Sequence, residues 1–200
     1  MIPMKRVFIV ILALLASLAF AEQQVSVSGI IKAEDDLPER TRVGVHVVDL
    51  DGNTLTEMSS EAIIGGTFSV AAEGPLEEHL QPFRSGAIPL PGLQTEYSVS
   101  PDGASYARAL TKVYVDENAS GRFDGLEHDT GFLGIASLEN PVGFFVILYV
   151  DQPVTLSGRG AELQLAEGWN IFAVRFPEGG EPDYAVVRNV DDAVLDVFMP

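Results

Sequence analysis

An all-β fold, an antiparallel β-sandwich of about ten to twelve strands, is what this sequence predicts. Three observations carry that expectation. Short runs rich in valine, isoleucine and aromatic residues recur along the chain; Gly, Pro, Asp and Asn punctuate them; and almost none sustains a 3.6-residue apolar period. With 46% apolar residues the chain is rich enough to build a core in spite of its 29 acidic side chains.

The strands follow in order. Val25-Ser26-Val27-Ser28-Gly29-Ile30 alternates as a half-buried strand does, and Val43-Gly44-Val45-His46-Val47-Val48 repeats the pattern before a turn at Asp51-Gly52. A hairpin follows from that turn. Gly65-Gly66 introduces Thr67 to Val70, while Glu96 to Ser100 and Ala107 to Val115 flank the turn at Pro101-Asp102-Gly103. Gly143 to Val150 is apolar on both faces, which predicts a central position. Pro153 to Ser157, Glu162 to Leu165, Ile171 to Phe176, Tyr184 to Val190 and Val194 to Phe198 complete the set, with Glu167-Gly168 and Glu178-Gly179-Gly180 as turns. Only Pro75 to Pro82 differs: Leu76, Leu80 and Glu77-Glu78 fit one helical turn on a proline-punctuated loop. A single domain over 22–200 is expected, with the 72–93 loop as the place for any sub-boundary.

Residues 1–21 are predicted to be a secretory signal peptide. Lys5 and Arg6 give the positive start, Val7 to Phe20 an apolar run broken only by Ser17, and Ala19-Phe20-Ala21 the small residues of a cleavage site. As a helix the run rises only about 21 Å, short of the ~30 Å hydrocarbon core, so cleavage is expected rather than a permanent membrane span. Removing it takes away two basic residues and no acid, which moves the net charge from −17 to −19. Such a surface repels nucleic acid and anionic lipid and attracts cations. The chain has no cysteine, so neither disulfides nor a lipid-modified cysteine are open to it. An exported protein, periplasmic or extracellular, is the expectation.

Val27-Ser28-Gly29-Ile30, then Val45-His46-Val47-Val48-Asp49 with Asp51-Gly52, then Gly66-Thr67-Phe68-Ser69-Val70 resemble the opening of carboxypeptidase-regulatory-like and transthyretin-like sandwiches. The resemblance covers about a quarter of the chain. It implies an Ig-like or transthyretin-like sandwich and, as is common in that group, an accessory or binding role. Lys32 lies near the first-strand lysine that forms isopeptide bonds in adhesin relatives, but no acid and asparagine can be paired with it. It is expected to be a solvated lysine at a strand end.

Asp116-Glu117-Asn118-Ala119-Ser120-Gly121-Arg122-Phe123-Asp124-Gly125-Leu126-Glu127 matches a twelve-residue calcium loop of the EF-hand type. Side-chain oxygens of Asp116, Asn118 and Ser120 occupy positions 1, 3 and 5, the Arg122 carbonyl position 7, Asp124 position 9 and Glu127 position 12. Gly121 falls where the chain must turn sharply, and the apolar Phe123 can anchor the loop to the core. The flanks are strands, since Leu110 to Val115 precedes the loop and Gly131 leaves no room for an exiting helix. The segment therefore resembles the strand-flanked calcium loops of bacterial surface-protein repeats, and its D-x-N-x-S-G core is similar to dockerins. That resemblance implies structural calcium rather than a sensor, which signals by opening helices. The competing reading is that Asp, Asn, Ser and Gly are merely good turn formers.

Other chemistry finds little support. His46, His79 and His128 have no zinc spacing; His46 is expected to face outward from its strand and His128 to be solvated. Leu156-Ser157-Gly158-Arg159-Gly160 lacks the first glycine of a nucleophile elbow. The adjacent acids Asp35-Asp36, Glu77-Glu78 and Asp191-Asp192 are the material for a glycosidase-like hydrolase, the alternative function, but adjacent acids are usually solvated charge. Trp169 after a turn is expected to plug the core. The expectation is thus a non-enzymatic calcium-binding envelope protein whose partner is an envelope protein or a polysaccharide. A metal-free interaction module is the remaining alternative.

Overall fold

The computed structural model describes residues 24–74, 76–83, 97–158 and 161–198. The predicted signal segment and residues 84–93 of the proline-rich loop lie outside them. Fifteen strands and no helix occur among the described residues, so the fold is all-β. In chain order they are β1 (Val25–Ala33), β2 (Thr41–Val48), β3 (Thr54–Ala62), β4 (Thr67–Ala72), β5 (Gln81–Pro82), β6 (Tyr97–Ser100), β7 (Ser105–Val115), β8 (Thr130–Gly131), β9 (Leu133–Glu139), β10 (Val142–Val150), β11 (Val154–Gly158), β12 (Ala161–Leu165), β13 (Gly168–Arg175), β14 (Asp183–Val187) and β15 (Asn189–Phe198).

Eight strands form the path β3-β2-β7-β10-β9-β15-β1-β4, which curls until its ends meet. Ser59 of β3 donates its hydroxyl to the Ala71 carbonyl of β4, and Ile64 bridges to Thr67 across the tight turn between them. Closing the path in this way shields two sheet edges from solvent. β13 pairs with β10 and carries β14 on its far side, while the short β5 and β8 add to β7. The order β12-β11-β6 makes a separate three-stranded sheet.

β10 explains the architecture. It pairs with β13 from Gly143↔Arg175 to Val150↔Gly168, and its other edge is shared between β9 at Val142 and Gly143 and β7 at Ile147 to Val150. Both edges are therefore paired, and each face meets a core of its own. Phe145, Ile147 and Tyr149 enter a core inside the curled sheet with Val43, Val45, Val47 and Leu195, whereas Val146, Leu148 and Val150 enter a second core with Leu156, Leu165 and Phe172 beneath the small sheet. Burying each such side chain fully stabilises by about 1.5–3 kcal/mol. Trp169 is buried as expected: it stands edge-on to Tyr149 at 5.2 Å, and its Nε1 donates to the Gly74 carbonyl at 3.1 Å.

Several expectations change. The path is antiparallel except where β1 runs parallel to β15. A parallel pair needs a long crossover, and here the whole intervening chain provides it. At the bulge in this pair, a side chain on Gly29 would collide with the Ala193 carbonyl, which is why a glycine breaks the alternation there. Residues 76–82 form no helical turn; Gln81 and Pro82 pair with β7, and Leu76 is drawn into the first core. The hairpin expected at Asp51-Gly52 forms with β3 as its second strand, although no β3 residues are singled out in the sequence, and β9 has no counterpart among the predicted strands. β3 carries polar residues on both faces because a loop, not solvent, covers one of them. Lys32 is exposed as expected, 3.2 Å from Glu139 Oε1.

Candidate metal centre

The loop from Asp116 to Asp129 connects β7 to β8, and these strands pair at Tyr114↔Gly131 and Val115↔Thr130, so its two ends are clamped together. Asp116 N donates to the Arg40 carbonyl at 3.1 Å, Arg40 Nη1 to the Glu117 carbonyl at 3.1 Å, and the Thr130 hydroxyl to Glu117 Oε1 at 3.1 Å. The frame is fixed before any ligand is considered.

Within it, hydrogen bonds tie together five of the six predicted ligand positions. The Asp116 carboxylate is only 3% exposed; Oδ1 accepts from Ser120 N at 2.9 Å and Oδ2 from Gly121 N at 2.8 Å. Asn118 Oδ1 accepts from the same Ser120 N at 3.0 Å, and Asn118 Nδ2 donates to Asp124 Oδ2 at 3.0 Å. Ser120 Oγ donates to the Arg122 carbonyl at 3.0 Å. Gly121 has φ +82°, the left-handed turn that its position requires. Bonds from Ser120 first and Asn118 second, with the nearby Arg122 charge, hold the Asp124 carboxyl below its ordinary range. Glu127, the sixth predicted ligand, stands apart and exposed, as does His128.

Phe123 anchors the loop as expected. Its ring packs edge-on against His46 at 5.2 Å and Tyr114 at 5.3 Å, while its N–H donates to Glu57 Oε2 at 2.9 Å. Tyr114 donates its hydroxyl to Glu57 Oε1 at 2.8 Å. His46 therefore does not face solvent; it is fully buried, and burial first, then the Lys112 charge, lowers its pKa to about 4. The expectation failed because the cover comes from a loop distant in sequence, which strand alternation cannot reveal.

The residue that sequence reasoning missed is Asp129. It lies two positions beyond the twelve-residue template, yet it is only 4% exposed, and its Oδ2 accepts from Asp124 N at 2.6 Å. Its Oδ1 is buried and has no hydrogen-bond partner among the described residues. An ionised carboxylate oxygen in that condition is costly unless a cation is near. As placed, no three acidic or histidine groups among the described residues close around one point. The oxygens of the loop would have to draw together to coordinate an ion. All donors are oxygen, the chemistry of calcium rather than of zinc.

The acids considered for hydrolysis are placed differently. Asp35, Asp36, Glu77, Glu78 and Asp191 are exposed, and Asp192 is held by Arg175 in a two-pronged ion pair of 2.7 and 2.9 Å. No protein-family model, curated protein or solved structure matches the chain.

Proposed function

We propose that this chain is an exported, non-enzymatic protein of the periplasm or cell exterior whose Asp116–Asp129 loop binds calcium and thereby stabilises the fold. The observation that carries the reading is the buried, unpartnered Asp129 Oδ1 beside a loop already pre-arranged around Asp116. Asp116, Asn118, Ser120, Asp124 and the Arg122 carbonyl supply the ring, and Asp129 supplies the last buried acid. Glu127 stays at the rim. Because the loop spans two strands, the ion acts as a staple in a chain without cysteine. Magnesium fits poorly, since it demands a tighter octahedron and keeps its waters. Without a helical scaffold the affinity suits roughly millimolar calcium.

The finer description of the fold as a sandwich belongs to the same proposal. It is supported by the way the three-stranded sheet stacks across the second core on β10 and β13. An envelope protein or a polysaccharide is the proposed partner, and the charge of −17 argues against nucleic acid.

The test is thermal unfolding with calcium and with chelator, together with metal analysis of the purified protein. Calcium at about 100 times its Kd adds about 2.7 kcal/mol, which raises Tm by about 5–10 °C for a chain of this size. No shift and no bound metal would sink the reading. One observation favours that alternative, a metal-free module: the loop's oxygens already accept hydrogen bonds from one another's neighbours, as Ser120 Oγ on the Arg122 carbonyl shows.

A further inference from the structure

A cavity of about 670 Å³ lies beside the loop but outside its ring of oxygens. That size falls within the roughly 300–1,000 Å³ of small-molecule pockets. Leu110 of β7, Phe132 after β8, and Phe123 and Leu126 of the loop give it apolar walls, while Lys112 and the turn at Gly52–Thr54 form a polar end. Leu126 is 77% exposed at the rim, an apolar side chain with nothing over it.

Lys112 is the anomaly. Its Nζ donates to the Gly52 carbonyl at 2.7 Å and to Thr54 Oγ1 at 3.0 Å, both neutral acceptors, and it forms no ion pair among the described residues. An ammonium has three donors, so one remains. Asp49, the acid whose charge it feels, spends its carboxylate on Asn53 N at 2.8 Å and Asn53 Nδ2 at 2.9 Å. Arg108, four residues back on the same face of β7, adds a second positive charge and donates only to the carbonyls of Asp49 and Leu50. Burial first, with Arg108 adding to it against the opposing pull of Asp49, lowers the Lys112 pKa. In a protein with 29 acids and 12 bases, the Lys112 ammonium at the pocket end meets no carboxylate oxygen among the described residues.

We propose that this cavity binds an amphipathic carboxylate of the single acyl-chain class, with its head group on Lys112 Nζ and its chain along Leu110, Phe123, Leu126 and Phe132. A carboxylate supplies the direct ion pair that the half-buried ammonium does not make among the described residues, and a charge-assisted hydrogen bond in such surroundings is roughly twice as strong as a neutral one. The apolar walls supply affinity in proportion to the chain buried. The inference goes beyond the calcium reading and needs only the walls of the loop, not an ion within it.

Calorimetric titration of the purified protein with decanoate, decanol and decylammonium, each below its micellar concentration, tests this. Decanoate is expected to bind at least tenfold more tightly than either of the others, and about fourfold more tightly for each methylene added from octanoate upward. Lys112→Met should weaken decanoate at least tenfold while leaving decanol within twofold, so that the decanol arm reports an intact pocket in the variant. Leu110→Trp, which fills the cavity, should weaken both. Equal affinity for the three head groups, no decanoate binding by the unaltered protein, or unchanged decanoate affinity in Lys112→Met overturns the proposal.

Discussion

The hairpin turn Asp49–Asn53 and the loop Asp116–Asp129 are made of the same residue types, and they finish differently. In the hairpin, the Asp49 carboxylate is filled by Asn53 N and Nδ2, and the Asn53 carbonyl accepts from Asp49 N at 3.0 Å. Those bonds, the Asn53 side chain foremost, hold the Asp49 carboxyl below its ordinary range. The turn is complete in itself. In the loop, Asp116 is equally well filled, but Asp129 is buried with one oxygen empty. The difference teaches that acidic composition does not reveal whether a loop satisfies its own acids. The separating feature is whether each carboxylate oxygen is filled by neighbouring N–H groups, as at Asp49 and Asp116, or is buried without a hydrogen bond among the described residues, as at Asp129.

The largest effect should come from exchanging the two filled acids. Asp116→Ala removes the acceptor of the Gly121 N–H and leaves the Ser120 N–H with Asn118 Oδ1 alone, a loss of about 1–2 kcal/mol at these part-buried bonds. In calcium, denaturant unfolding should show a loss of about 4–5 kcal/mol, the calcium-dependent part included, and the calcium-dependent rise in Tm should vanish. Asp49→Asn keeps an acceptor for the Asn53 N–H, so it should cost under about 1 kcal/mol and leave the calcium response intact. Equal losses in the two variants would erase the contrast.

His46 links the two regions, with Nδ1 at 3.5 Å from Thr54 Oγ1 after the hairpin and its ring against Phe123 of the loop. The charged groups around it are Glu57 on β3 and Lys112 on β7, with Tyr114 beside them. Its pKa is lowered to about 4 from 6.5, so the unfolded chain binds the extra proton between those values. The stabilisation from neutral His46 is thus whole above pH 6.5 and is lost as pH falls toward 4. It amounts to about 3 kcal/mol. Unfolding curves at pH 7 and pH 4 should differ by about that much more in the unaltered protein than in His46→Gln.

The smallest and most discriminating effects separate Asp129 from Glu127. By calorimetry, Asp129→Asn should weaken calcium at least tenfold while raising stability in chelator by about 1 kcal/mol, because an unpaired buried charge is removed. Glu127→Gln, at an exposed position, should change stability by under about 0.5 kcal/mol and calcium affinity by less than threefold. If Glu127→Gln is the more damaging of the two, the rim residue is the ligand and the buried one is not.

Much of this was legible in the sequence where the signal is local. The two-faced apolar run of β10, the Trp169 plug and the turn glycines at 52, 66 and 121 all express rules that act within a few residues. What escaped notice depends on distant chain. β3 reads as polar because Glu57 and Ser60 hydrogen-bond to Tyr114 and to the loop, so its outward face is an interface. His46 sits in the middle of an alternating strand, and only the arrival of Phe123 over it decides its burial. Asp129 was invisible because a template twelve residues long ends before it, although Asp at a turn just ahead of a short strand was in plain view.

The pairing of β1 has one further bearing, on the order of events. β1 lies between β4, which comes after only β2 and β3, and β15, whose partner residues are 163 or 164 positions away. A chain made from its N-terminus can form the β1–β4 ladder early, but the other edge of β1 stays bare until β15 has emerged. Contacts of such long range make folding slow and late. The curled sheet therefore cannot close around its core on a partly made chain, because β1 has no partner on that edge until β15 is present.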